Sequence, residues 1–247
     1  MAKVVVEDNG RVAVLRLKNG VTNAIGPDMV DDLSGALSKI EQVYDGMVLA
    51  GGHKFFSMGF DLPVLLALKR NEFADFFHRF NDVVLRLFTI GIPTCCAIAG
   101  HAVAGGSILS QSCDYRCAVP EKKLGLNEIR LGLPVPYLAD LILRQLVGDR
   151  AATGVLYGGQ FLAASDGIKI GLVDETCSME EVEDRAMERV AELAAHSQAA
   201  FRAIKANRVA AVGRKYEAHQ EMKNAQFLDC WFDKTAQALL KEASRKF

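Results

Sequence analysis

The chain changes rhythm along its length. Prolines stand at 27, 63, 93, 120, 134 and 136 and never afterwards, and from 178 onward Gly213 is the only glycine. Before that change, short apolar runs alternate with longer amphipathic ones. Val4–Glu7 and Val12–Leu17 read as strands around an Asn9-Gly10 turn, a strong hairpin signal. Pro27 opens a helical pattern to about Val43, with Met29, Leu33, Leu37 and Ile40 on one face. Met47–Ala50 is a short apolar strand, a second helix runs from about Asn71 to Phe88, and Pro93–Ala99 reads as another buried strand. A Gly/Ala/Ser-rich stretch, 100–113, precedes a strand near Tyr115–Val119. Strands alternating with helices require a mainly parallel sheet, so the expected class is α/β. The division expected is a core over 1–178 and a helical region over 179–247, in which Val182, Ala186, Val190 and Leu193 form one apolar stripe.

The 247 residues carry 29 Lys+Arg against 30 Asp+Glu, a formal net charge of −1. That balance argues against a nucleic-acid partner, since no basic excess exists to neutralise phosphates. The opening MAKVVVEDNG lacks an apolar signal core. The most apolar window, Thr94–Cys113, is broken by His101, Ser107, Ser110, Gln111 and Ser112, so no membrane span is expected. A soluble, cytoplasmic protein follows as the expectation. The six cysteines make no C-x-x-C pair and the five histidines no H-x-x-x-H, which predicts reduced thiols and no metal site.

No G-x-G-x-x-G, G-K-[ST], G-x-S-x-G or H-E-x-x-H occurs, so dinucleotide, P-loop, α/β-hydrolase and zinc-protease chemistries all lose ground. Two glycine turns stand out instead. One is Phe55-Phe56-Ser57-Met58-Gly59-Phe60-Asp61-Leu62; the other is Gly100-His101-Ala102-Val103-Ala104-Gly105-Gly106-Ser107, which leaves a strand and enters a helix. Small residues there permit exposed N–H groups, and two such donors converging on one point make an oxyanion hole. Tight turns and close packing would leave the same pattern. Glu128, set among Leu126, Ile129, Leu131 and Leu133, suits an acid or base of raised pKa, although a solvent-facing helix-start glutamate reads alike.

Together, F-S-M-G-F-D-L, P-T-C-C-A-I-A-G-H-A-V-A-G-G, S-C-D-Y-R, G-L-N-E-I-R-L-G-L and G-L-V-D-E resemble the crotonase (enoyl-CoA hydratase/isomerase) superfamily, in order across most of residues 1–180. The resemblance implies a ββα spiral core with a helical C-terminal oligomerisation region, a homotrimer or hexamer, and an acyl-CoA substrate. It implies no metal or redox cofactor, coenzyme A being only the carrier of the acyl group. By motif, the N–H groups of Phe60 and Gly105 hold the thioester oxygen as it becomes an enolate, each worth about 3 kcal/mol. Hydratases of the superfamily use two glutamates; here the first position is Ile108 and the second is Glu128. One base beside an oxyanion hole still suffices to move a proton from Cα to Cγ. The wording around Glu128 is similar to mitochondrial-type Δ3,Δ2-enoyl-CoA isomerases.

The resemblance also implies coenzyme A contacts at Asn23, Ala24, Lys54 and Met58. Phe73, Phe76, Phe77 and Phe80 fall at helical spacing and read as core, while the superfamily's pattern brings that region to the acyl pocket. Asp61 reads as a structural hydrogen-bonding residue. Asp140 is a second acid if its helix faces the site; Tyr137 and Arg130 stand beside it as weaker candidates, and His101 is expected to pack or hydrogen-bond. A hydratase or another enolate-forming activity, and a weakly catalytic coenzyme A-binding assembly protein, remain the alternatives.

Overall fold

A computed structural model describes residues 2–245. The strands are β1 (Val4–Asn9), β2 (Val12–Leu17), β3 (Gly46–Ala50), β4 (Phe55–Ser57), β5 (Thr94–Ile98), β6 (His101–Val103), β7 (Tyr115–Ala118), β8 (Lys123–Gly125), β9 (Leu162–Ala163) and β10 (Glu175–Thr176). The helices are α1 (Pro27–Val43), α2 (Leu62–Leu65), α3 (Arg70–Thr89), α4 (Gly105–Gln111), α5 (Tyr137–Gly158), α6 (Ala164–Gly167), α7 (Val182–Ala194), α8 (Gln198–Glu217), α9 (Gln220–Trp231) and α10 (Lys234–Ser244).

Two sheets result. The larger runs β1-β2-β3-β5-β7-β10, antiparallel only between β1 and β2; the smaller runs β4-β6-β8-β9, antiparallel only between β8 and β9. Each turn of the chain therefore lays one strand in the large sheet and the next in the small one: β3 then β4, β5 then β6, β7 then β8. This is the ββα spiral expected. The β1–β2 hairpin pairs Asn9 with Val12, so the turn residues are Gly10 and Arg11, one place later than the sequence suggests.

Strands β3 and β5 are buried on both faces, which is why they read as continuous apolar runs. Their alternation divides the interior. Met47, Leu49, Cys96 and Ile98 face the main core against α1 and α3, while Val48, Ala50, Cys95 and Ala97 face a second layer. That second layer is closed by α7, whose Val182, Ala186 and Val190 repeat every fourth residue and pack across β3, β5 and β7. Ala194 takes the buried place expected of Leu193, which is half-buried. All six cysteines are free.

The chain beyond 178 also folds back on the core. Helix α8 is tied down by Lys205, 4% exposed, whose Nζ donates to Ile92 O at 3.1 Å and Asp114 Oδ2 at 2.8 Å. Helix α9 lies on α3 and α5, and α10 on α2 and on the 3-10 turn Glu128–Leu131. No helix among the described residues is long and apolar enough to cross a membrane.

Candidate active site

Two backbone turns and one carboxylate meet at the small sheet. The first turn follows β4. Gly59 there has φ +87°, a conformation that costs side-chain-bearing residues free energy. The Ser57 hydroxyl donates to Asn23 O at 2.7 Å and accepts from Gly59 N at 3.1 Å, which pins the turn. Ile25 N donates to Gly59 O at 2.8 Å and Asp61 N to Ile25 O at 2.9 Å. In such a parallel pairing the residue between those two bonds turns its N–H the other way. Phe60 is that residue, and its N–H has no acceptor among the described residues.

The second turn joins β6 to α4. Ala104 sits at φ +45° and ψ −115°, an unusual conformation for alanine that costs about 1–3 kcal/mol and is held by its surroundings. Its N–H donates to Gly125 O at 2.9 Å, and its C=O accepts from Ile108 N at 2.9 Å. Gly105 then opens the helix, where first-turn N–H groups lack intrahelical partners, and its own N–H has no acceptor among the described residues. The turns touch. A Cβ on Gly59 would lie 3.0 Å from Gly105 N, and one on Gly106 would lie 2.4 Å from Ser57 O.

Glu128 begins the 3-10 turn that follows β8, and is 6% exposed. Its Oε2 is buried without a hydrogen-bond partner. Burial among apolar groups disfavours the charged form and pushes its pKa up to about 7. Phe60, Gly105, Glu128, Met58 and Ile108 line one cavity of about 300 Å³, in which Glu128 is the only titratable side chain among the described residues. Asn127 lines it too, with Oδ1 buried and unpartnered, a second polar group that stands inside the G-L-N-E motif but is not singled out there as a site residue. The far wall comes from the chain's end: Phe227, Trp231, Leu240 and Ala243.

Other candidates lie elsewhere. Asn23 is a buried clamp at φ +44°, accepting from Asn19 N at 2.7 Å and donating to Phe56 O at 3.1 Å. Ala24 O already accepts from Asn19 Nδ2 at 2.8 Å. Lys54 is exposed, 5.9 Å from the ring of Phe55, itself a cavity-lining residue. Neither Asn23, Ala24 nor Lys54 lines the cavity. Phe73, Phe76, Phe77 and Phe80 are fully buried and form a layer behind the wall; Phe76 and Phe80 meet Phe60 edge-on at 5.1 and 4.9 Å. Asp140 opens into a different cavity and accepts from Arg144 Nε at 2.9 Å, so it is not set against Glu128. Tyr137 lines that second cavity as well, and Arg130 donates to Gly158 O. Asp61 caps α2 through Val64 N. His101 Nδ1 accepts from Lys123 N at 3.0 Å; burial first, then Lys122 and Lys123, lowers its pKa and keeps the ring neutral. Among the described residues no cluster of His, Cys, Asp or Glu is arranged to hold a metal ion.

Comparison with known proteins gives this geometry a family. The model of the enoyl-CoA hydratase/isomerase family matches residues 7–244. The chain is similar to human mitochondrial enoyl-CoA delta isomerase 1, 29% identical over 73% of this chain but only 62% of that protein. It therefore spans slightly less than two thirds of that relative's length. A probable enoyl-CoA hydratase of Mycolicibacterium paratuberculosis is 29% identical over 86% of this chain and 89% of its own. The crystal structure of human mitochondrial delta3-delta2-enoyl-CoA isomerase superposes with a TM-score of 0.94 at 25% identity, covering 99% of this chain and 97% of that one. With a match over nearly its whole length and two touching turns that free one N–H each beside a buried carboxylate, the chain belongs to the enoyl-CoA hydratase/isomerase family.

Proposed function

We propose that this protein is a Δ3,Δ2-enoyl-CoA isomerase that moves one proton with Glu128 as its single acid–base group. The observation that carries this reading is the cavity's composition: among the described residues one titratable side chain, with Ile108 in the same lining at the position where the family resemblance places the hydratases' first glutamate. Glu128 takes a proton from Cα of a 3-enoyl thioester, and the C–H electron pair passes into a dienolate. The N–H groups of Phe60 and Gly105 donate to the thioester oxygen as it gains charge, an interaction stronger in the transition state than in the ground state. Protonated Glu128 then returns the proton at Cγ, which completes the double-bond shift with no net change in protons or electrons. A redox-neutral shift of this kind asks for no metal or redox cofactor. A base with its pKa near 7 suits both halves of the transfer, and an apolar neighbour such as Ile108 keeps water from the intermediate.

Glu128→Gln is expected to abolish isomerisation of a 3-enoyl-CoA while a saturated acyl-CoA still binds; wild-type turnover in that variant would refute the assignment. The second reading, hydration, is favoured by the similarity to the mycobacterial probable hydratase and by Asn127 as a second polar group in the cavity. Comparing hydration of crotonyl-CoA with isomerisation of a 3-enoyl-CoA separates them, and faster hydration would displace the isomerase reading. Failure of both reactions with intact acyl-CoA binding would favour a binding role. We further propose assembly as a homotrimer or hexamer, to be measured by light scattering; a monomer would overturn it.

A further inference from the structure

We infer that Leu133 and Phe227 set the length of acyl chain this site accepts, as a removable wall between the acyl cavity and a second cavity behind it. The inference rests on the acyl-CoA reading above and deepens it. The second cavity, about 350 Å³, is lined by Ile129, Val135, Leu156 and Tyr157 among others. Among the described residues, Leu133 and Phe227 are the two that line both cavities. Both are buried, 5% and 2% exposed, whereas Tyr157 and Ile129 on the far side are 77% and 48% exposed, so the wall parts the acyl cavity from a groove that opens to solvent.

Each wall residue is held by a different device. Leu133 ends the turn that begins at Glu128, and its N–H donates to Glu128 O at 3.0 Å. The distance from the reacting carboxylate to the wall is thus fixed by one short, hydrogen-bonded segment. Phe227 stacks on Phe77 with ring centroids 4.1 Å apart and planes 10° apart, which restricts its ring. A chain threaded past Glu128 meets these two side chains and stops.

The chemistry beyond the wall suits a hydrocarbon tail. The near part is apolar, through Ile129, Val135 and Leu156. The far part is polar: Arg144 is paired with Asp140, and Lys223 lies over the ring of Tyr137 and donates to Gln226 Oε1. With Arg144 paired to a carboxylate and Lys223 held by an amide and a ring, the apolar near part offers its contact area to methylenes. The occupant is the distal half of a long acyl chain, admitted once the wall is thinned. Burying methylenes there should raise kcat/KM roughly fourfold for each one added.

The test is a chain-length series of trans-3-enoyl-CoA substrates, from hexenoyl to hexadecenoyl, with wild type, Leu133→Ala and Leu133→Phe. Leu133→Ala is expected to raise the long-to-short ratio of kcat/KM by about tenfold or more. Leu133→Phe, which thickens the wall, should move the optimum to shorter chains and keeps the test open if the alanine variant folds poorly. Adding Leu156→Trp, which fills only the second cavity, should cancel the alanine variant's gain. An unchanged profile in both Leu133 variants, or a gain that survives Leu156→Trp, would overturn the inference. Dissociation constants of saturated acyl-CoAs across the same lengths, measured by calorimetry, keep the two readings apart. A wall that shifts binding without any isomerisation sinks the isomerase reading alone, whereas isomerisation with a flat length dependence sinks the wall.

Discussion

Adding one methyl group to Gly106 tests whether the two backbone turns act as a unit. Its Cβ would stand 2.4 Å from Ser57 O, 2.8 Å from Ser57 Cβ and 3.0 Å from Ser57 C. Ordinary contact begins near 3.4 Å, so the turns must part by roughly 1 Å. Ser57 cannot retreat freely, because its hydroxyl bridges Asn23 O and Gly59 N. The strain therefore falls on the segment that aims the Phe60 N–H. Overpacking of this kind costs about 1–3 kcal/mol of stability. A displacement near 1 Å at a catalytic group costs on the order of a hundredfold, and loss of one oxyanion donor about a hundred- to a thousandfold in kcat. Gly106→Ala should thus lose at least about a hundredfold in kcat for 3-enoyl-CoA isomerisation, followed in a spectrophotometer, while the affinity for a saturated acyl-CoA moves by less than about threefold. The control is Gly35→Ala in α1, an exposed position where a Cβ meets nothing within 4 Å; it should gain up to about 1 kcal/mol and keep full activity. A folded Gly106→Ala protein with wild-type kcat would refute the idea that the turns are held by mutual contact.

Three other outcomes are expected. Since Glu128 must be ionised to take a proton, kcat/KM should fall tenfold per unit as pH drops below about 7, and a flat profile down to pH 5 would exclude it as the base. The raised pKa also has a stability consequence of definite sign: folded Glu128 keeps its proton to higher pH than the unfolded chain does, so stability declines between about pH 4.5 and 7, by roughly 3 kcal/mol in all. Glu128→Gln should remove that decline, leaving the variant more stable than wild type to urea at pH 8 and nearly equal to it at pH 4. Lys205→Met should cost about 2 kcal/mol by urea titration, less than a fully buried pair because the Asp114 side chain is 23% exposed; an unchanged midpoint would mean that this ion pair does not anchor α8.

Legibility in the sequence follows how much each residue owes to its neighbours in the chain. Strands β3 and β5, buried on both faces, announce themselves as apolar runs, and the Val182, Ala186, Val190 stripe is plain from its spacing. The small sheet is a different matter. Its strands have only two or three residues, and β6 is carried by His101-Ala102-Val103, inside a stretch that composition marks only as small and flexible. These strands exist because the larger sheet's spiral presents them to one another, not from any local preference. Gly59, Gly105 and Glu128 were visible through motif and turn chemistry. Asn127 lies in the same motif as Glu128 yet was not legible as a cavity group, since an asparagine before a helix start usually reads as a cap. The phenylalanines of α3 were legible as core, but their distance from the cavity depends on Phe60 standing in front of them. Phe227, Trp231, Leu240 and Ala243 lie about a hundred residues from Glu128, and no local pattern links them to it.

That last wall has a temporal meaning. Synthesis delivers the donor turns first, then Glu128, and about a hundred residues later the side chains that close the cavity over them. Until α9 and α10 dock, the cavity lacks its far wall, and the Glu128 pKa relaxes toward that of an ordinary glutamate. Closure of the cavity thus waits for α9 and α10, so the ionisation of Glu128 itself reports whether these two helices have docked.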